Sequence, residues 1–154
     1  MNTPAKTSGH PKGLYVLFAT EMWERFNFYG MRAILVLFMT NALLFNDEFS
    51  SNLYGSYISL IYLSPLLGGY IADRYWGNKR SIFVGGLVMA AGEIILFVCG
   101  SVYDSSPDIA TFLFFTGLGF MVAGNGFFKP NISSLVGQLY PDNDTRKDAA
   151  YTIF

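Results

Sequence analysis

The sequence predicts an all-α polytopic membrane protein: four transmembrane helices and the beginning of a fifth. Three observations carry that expectation. Hydrophobic residues make up 52% of the 154-residue chain and charged residues only 14%, against about 25% charged in soluble domains. Four apolar stretches follow one another, each as long as the roughly 20 residues that cross a bilayer. The polar breaks between them are short, and lysine and arginine occupy only every second break, the alternation that sets membrane orientation.

The composition also excludes. A net charge of -1 with scattered basic residues offers no electrostatic footprint for nucleic acid. The single cysteine, Cys99, lies in an apolar stretch; it can form no intramolecular disulfide, belongs to no metal cluster, and reads as a small packing residue. His10 stands alone in a polar tail and reads as a solvated side chain. No nucleophile–base pair, metal cluster or phosphate loop appears, so neither an enzyme nor a cofactor is expected.

Residues 1–13 contain proline, serine and glycine with Lys6 and Lys12, and no cleavage site follows a short apolar core. They read as a cytoplasmic tail rather than a signal peptide. The transmembrane bundle occupies 14–154. Its first span, 14–44, exceeds the bilayer thickness and must tilt or extend. It also holds Glu21, Glu24, Arg25 and Arg32. Each charge near the bilayer centre costs at least about 2.5–3.5 kcal/mol. At 100° per residue the four charges and position 28 share about a third of the helix circumference, so that face is expected to look into a polar cavity. Internal ion pairs that merely hold helices together are the plainer alternative. Glu21 and Arg25 stand four apart with the glutamate first, the favourable order for a helical pair.

The second span, 51–71, places Gly55, Ser59 and Tyr62 on one side, which suits close packing. Pro65 leaves the Ile61 carbonyl without its helical donor, and Gly68-Gly69 follow, so this helix bends near its inner end. A short polar break, 73–80, precedes the third span, 81–102. Its Gly85, Gly86, Ala90, Ala91 and Gly92 permit close helix contact. Glu93 interrupts it and is either a functional carboxylate or a structural hydrogen bond to a neighbour. The fourth span, 109–140, carries Lys129-Pro130. Lys129 lies about 15 Å from the end of the span at helical rise, beyond easy snorkelling, so it needs a carboxylate nearby or gives up its proton more readily than in water. Pro130 cannot bond back to Gly126, so the segment can kink. A fifth helix begins near 148. Lys6, Lys12, Arg74, Lys79, Arg80, Arg146 and Lys147 all fall on one side, which predicts a cytoplasmic amino terminus in a multi-pass cell-membrane protein.

Three motifs carry a resemblance. Glu21-x-x-Glu24-Arg25-Phe26-x-Phe28-Tyr29-Gly30 resembles the ExxERFxYYG signature of proton-dependent oligopeptide transporters, a branch of the major facilitator superfamily; Phe28 stands where the family usually has a tyrosine. Gly69-x-x-x-Asp73-Arg74-x-x-Gly77-x-Lys79-Arg80 resembles the loop motif that major facilitators carry between their second and third helices. Gly124-x-Gly126-x-x-Lys129-Pro130-Asn131 resembles the GxGxxKPN stretch of peptide transporters.

The resemblance implies part of the amino-terminal six-helix bundle of a major facilitator fold, working by alternating access as a symporter of protons and di- or tripeptides. It implies proton coupling through Glu21, Glu24, Arg25 and Lys129, substrate binding by Arg25, Tyr29, Arg32, Tyr62 and Lys129, and gating by Asp73, Arg74, Lys79, Arg80 and Pro130. Physically, protonating a glutamate would release its arginine, and Asp73 at a helix end could form a breakable latch with basic groups or a helix amino terminus. The partners would then be short peptides, protons, membrane lipid and further carboxyl-terminal helices, because the sequence reaches Phe154 without a helix-ending signal. A related carrier of nitrate or another small anion is the alternative within transporters. A small non-transporting assembly or regulatory membrane protein is the alternative outside them.

Overall fold

The computed structural model describes residues 9–154, so residues 1–8 of the expected tail lie outside the described residues. Five α-helices follow in order: α1 (Lys12–Asn41), α2 (Asp47–Ile71), α3 (Asn78–Val102), α4 (Pro107–Gln138) and α5 (Arg146–Ile153). No strand occurs among the described residues.

Helix ends depart from the hydropathy boundaries because polar residues serve as caps rather than as loops. α2 starts at Asp47, four residues earlier than hydropathy suggests. The Asn46 side chain accepts from the Phe49 amide at 2.7 Å, and Asp47 and Glu48 occupy the first turn, where negative charge complements the helix dipole. α4 starts with Pro107 in its first turn followed by Asp108, the position where a missing amide hydrogen costs nothing.

The expected polar break at 73–80 is mostly helical. Ala72–Trp76 forms one π-helical turn that continues α2, closed by the Gly77 amide bonding to the Ala72 carbonyl at 2.8 Å. Gly77 then takes φ 74°, a conformation cheap only for glycine, and α3 begins at the next residue.

α4 is the axis of the bundle, with α3 and α2 packed along it. Both contacts are backbone against backbone. A Cβ on Gly85 would lie 2.7 Å from the Gly124 carbonyl oxygen and 2.7 Å from the Phe128 amide, and a Cβ on Gly68 would overlap the Gly126 carbonyl. Small residues permit this approach where lipid supplies no hydrophobic drive between helices. The Gly55, Ser59 and Tyr62 side of α2, expected to pack closely, instead faces outward, and nothing lies within 4 Å of a Cβ on Gly55; the close-packed glycine of α2 is Gly68.

α1 approaches the bundle mainly through side chains. Phe28, Leu35 and Met39 enter a buried cluster with Tyr57, Ile61, Phe114, Met121, Phe128 and others. A second cluster, Leu14, Val136, Tyr140 and Ala150, closes the end where the chain enters. There His10 is not simply solvated. Its Nδ1 meets the Tyr140 hydroxyl at 2.7 Å, and Arg146 donates to Asp144 Oδ2 at 2.7 Å and to the Gly9 carbonyl at 2.6 Å. The Arg146 guanidinium holds the Asp144 carboxyl down at about 2. Cys99 is buried with Sγ 3.2 Å from the Ala110 carbonyl, a packing role.

Among the described residues two helices, α3 and α4, are long and apolar enough on their own to cross a membrane, with mean hydropathy 2.4 and 1.5. The charges and amides of α1 and the hydroxyls, proline and glycines of α2 keep those two below that level.

Candidate functional site

The buried charge of the molecule collects where α1 crosses α4. Glu21 and Glu24 are 3% and 5% exposed. Lys129 reaches across from α4 and donates to both oxygens of Glu24, at 3.0 and 3.3 Å, with Glu21 Oε1 at 3.9 Å. From one turn along α1, Arg25 Nε donates to Glu21 Oε1 at 2.9 Å. Two carboxylates thus face two cations, so the group is neutral and each charge has a partner, the condition under which buried ions are tolerated. The partners differ in exposure. Both carboxylate side chains are 4% exposed, whereas those of Lys129 and Arg25 are 36% and 51% exposed. The acids form the floor and the bases point outward, available to a ligand. Glu21 Oε2 is buried with no hydrogen-bond partner, leaving one lone-pair site for a proton or a further donor.

Arg32 lies eight residues beyond Glu24, about 12 Å along the axis at helical rise, and forms a separate group. Its Nε donates to the Tyr54 hydroxyl at 3.0 Å. Phe28 joins the two groups, with Arg32 Cζ 5.4 Å and Lys129 Nζ 5.7 Å from its ring centroid. At those distances a phenyl ring attracts both cations, and it needs no hydroxyl to do so. Tyr29 and Tyr62 are exposed, and Arg32 lies 5.9 Å from the Tyr29 ring centroid.

Comparison with known proteins shows what the chain is similar to. The sequence profile of the POT family (PTR2) matches residues 79–154. The chain is 41% identical over 163 residues to a di-/tripeptide transporter of Lactococcus lactis subsp. lactis, covering 100% of this chain and 31% of that protein. It is 40% identical over 144 residues to dipeptide and tripeptide permease A of Chromobacterium violaceum, covering 94% of this chain and 28% of that protein. A crystal structure of a POT family transporter in complex with 5-aminolevulinic acid superposes with a TM-score of 0.84 at 41% identity, over 96% of this chain and 29% of that one. The chain belongs to the POT family. It spans about three tenths of the length of these relatives, and its all-α fold is that of POT transporter structures.

In this POT sequence the 73–80 motif is docked on the Lys129 segment. The Trp76 ring stacks on Phe127 with centroids 5.2 Å apart and planes at 21°, and Gly69 lies against Pro130, the residue after Lys129. Asp73 is exposed and makes no ion pair among the described residues, and Arg74 donates to the Tyr70 hydroxyl at 3.1 Å. Lys79 and Arg80, exposed in the first turn of α3, border a surface hollow with Trp76 and Phe83. The segment holds its place through aromatic stacking while Asp73, Lys79 and Arg80 stay exposed.

Three polar residues of this region escape a reading of the sequence. Tyr54 is the phenol bonded to Arg32. Asn27 donates to Glu93 Oε1 at 2.7 Å, which gives Glu93 a hydrogen bond to the neighbouring α1. Asn125 donates to the Ile61 carbonyl at 3.1 Å. Of these, only Asn125 had a signal, since Pro65 predicts that the Ile61 carbonyl lacks a helical donor.

Proposed function

We propose that this chain forms one wall of a cell-membrane carrier that couples uptake of di- and tripeptides to inward proton movement by alternating access. The observation that carries the proposal is the Lys129–Glu24 pair bridging α1 and α4, with Glu21 and Arg25 beside it. The names of the relatives supply the substrate class.

A proton arriving at Glu24 neutralises the nearest partner of Lys129, and one arriving at Glu21 does the same for Arg25. Each cation then lacks its counter-charge in a largely apolar setting and pairs with the next anion to enter, the carboxylate of a peptide. Arg32, Tyr29 and Tyr62 supply further hydrogen-bond donors along the same open side. Loss of the interhelical pair also frees α1 from α4, and Pro130, placed directly after Lys129, gives α4 a point at which to bend. Asp73, Arg74, Lys79 and Arg80 gate the cytoplasmic end, their charges engaging and releasing partners as the cavity closes and opens. The remaining wall, which would receive the amino end of the peptide, comes from carboxyl-terminal helices of the same carrier.

Uptake of labelled dialanine by the full-length carrier in liposomes under an imposed proton gradient tests this reading, with nitrate as competitor. Glu21→Gln is expected to abolish accumulation while leaving exchange. Absence of uptake, or competition by nitrate alone, would overturn the peptide assignment in favour of a small anion. A cysteine placed near Asp47 should label only from outside if the amino terminus is cytoplasmic.

A further inference from the structure

Two helices of the bundle carry an internal proline, Pro65 in α2 and Pro130 in α4. Each removes the helical donor from the carbonyl four residues earlier, Ile61 and Gly126 respectively. An unbonded carbonyl in an apolar interior is costly. Both freed carbonyls face the partner helix. That of Ile61 accepts from Asn125 Nδ2 at 3.1 Å and, within α2, from the Ser64 hydroxyl at 3.2 Å. That of Gly126 lies against Gly68, in contact too close for any side chain. Asn125 is itself buried, and its Oδ1 has no partner, so only the donor half of the amide is used.

We propose that Asn125 is a positioning residue: together with the Ser64 hydroxyl its side chain satisfies the carbonyl that Pro65 frees on α2, and because it does so from the neighbouring helix it ties the proline segment of α2 to the α4 turn bearing Lys129. Asn125 and Lys129 stand four residues apart, so a fixed point at Asn125 sets the height at which Lys129 meets Glu24. The two proline-bearing segments then move as one unit when Lys129 is released. This part rests on the transport reading above; the bond between Asn125 and the bend of α2 does not.

A mutant cycle on the full-length carrier tests it, with Asn125→Leu, which keeps most of the volume and removes the donor, Pro65→Ala, which restores a helical N–H to Ile61, and the pair together. The thermal midpoint and the pH profile of dialanine uptake are both read. Asn125→Leu should lower the midpoint by a few degrees, cut uptake at the wild-type optimum by roughly fivefold, the weight of one buried hydrogen bond, and shift the pH profile. In the Pro65→Ala background it should lose more than half of each effect. If Asn125→Leu alone gives no folded carrier, recovery of folded protein by adding Pro65→Ala supports the same link. Equal effects in both backgrounds would overturn the replacement of the donor. A coupled midpoint with an unmoved pH profile would overturn the positioning of Lys129. Wild-type carrier without proton-driven uptake would sink the transport reading instead, and the midpoint cycle would still decide the Asn125–Pro65 link.

Discussion

α4 meets α3 and α1 by opposite means. Against α3 it offers glycines and backbone, with no titratable group between Gly85 and Gly124 and no room for a side chain. Against α1 it offers Lys129, held between two buried carboxylates. The first interface depends mainly on shape, with the Cys99 thiol bonded to the Ala110 carbonyl and no ion pair among the described residues. The second is an electrostatic contact whose strength depends on protonation. A helix built this way can stay fixed to one neighbour while letting go of another, as the proposed transport cycle would require of it.

Substitutions on the two sides should therefore fail differently. Gly85→Leu carries the largest expected effect. Its side chain would collide with the Gly124 carbonyl and the Phe128 amide, neither of which can yield without unpacking α3, and little folded protein should be recovered at any pH by size-exclusion chromatography. Folded protein of normal stability would show that the α3–α4 contact is looser than its geometry. Lys129→Ala comes next. It leaves Glu24 buried without its cation, a cost of about 1–3 kcal/mol once the loss of a buried partner is discounted for the exposed end of the lysine. Its signature is functional: proton-driven uptake should fall at least about tenfold, the equivalent of 1.4 kcal/mol, while folded yield stays near wild type. Unchanged uptake across the pH range would make the lysine merely structural.

Tyr54→Phe should have a smaller effect. It removes one hydrogen bond from Arg32, worth about 1 kcal/mol, and should raise the apparent KM for dialanine a few-fold with little change in the maximal rate. The smallest change belongs to the chain-entry end. Asp144 is held at about 2 by Arg146, below its ordinary 3.8, so the pair contributes stability that is present above pH 4 and is lost as pH falls toward 2. Asp144→Asn should abolish that acid-side slope in a thermal-midpoint profile and lower the neutral midpoint slightly, by the same small amount that wild type loses on acidification.

The legibility of these regions in the sequence follows the same division. Charges in an apolar helix announce themselves, so the Glu21–Arg32 stretch and the need of Lys129 for a carboxylate are legible from residue type and spacing alone. Periodicity, however, assigns residues to a face without saying which neighbour that face meets. It groups Gly55, Ser59 and Tyr62 correctly, yet that side faces outward, and the phenol that reaches Arg32 is Tyr54, two turns earlier on α2. The single face that helical spacing gives the four charges resolves into two groups about 12 Å apart, because Lys129 sits level with Glu24 rather than Arg32. The bond of His10 is illegible for a related reason: its partner Tyr140 is 130 residues away, and no local pattern encodes that meeting.

The π-helical turn at Ala72–Trp76 has a consequence of its own. Such a turn accommodates one residue more than an α-turn without lengthening the helix into a loop. That extra residue rotates whatever follows by about 100°, and it is in this rotated phase that Trp76 lies on Phe127. Deleting any one residue of 72–75 is expected to leave a regular helix and turn the tryptophan away from its partner. Here the number of residues acts as an angle, and a one-residue deletion is a rotation.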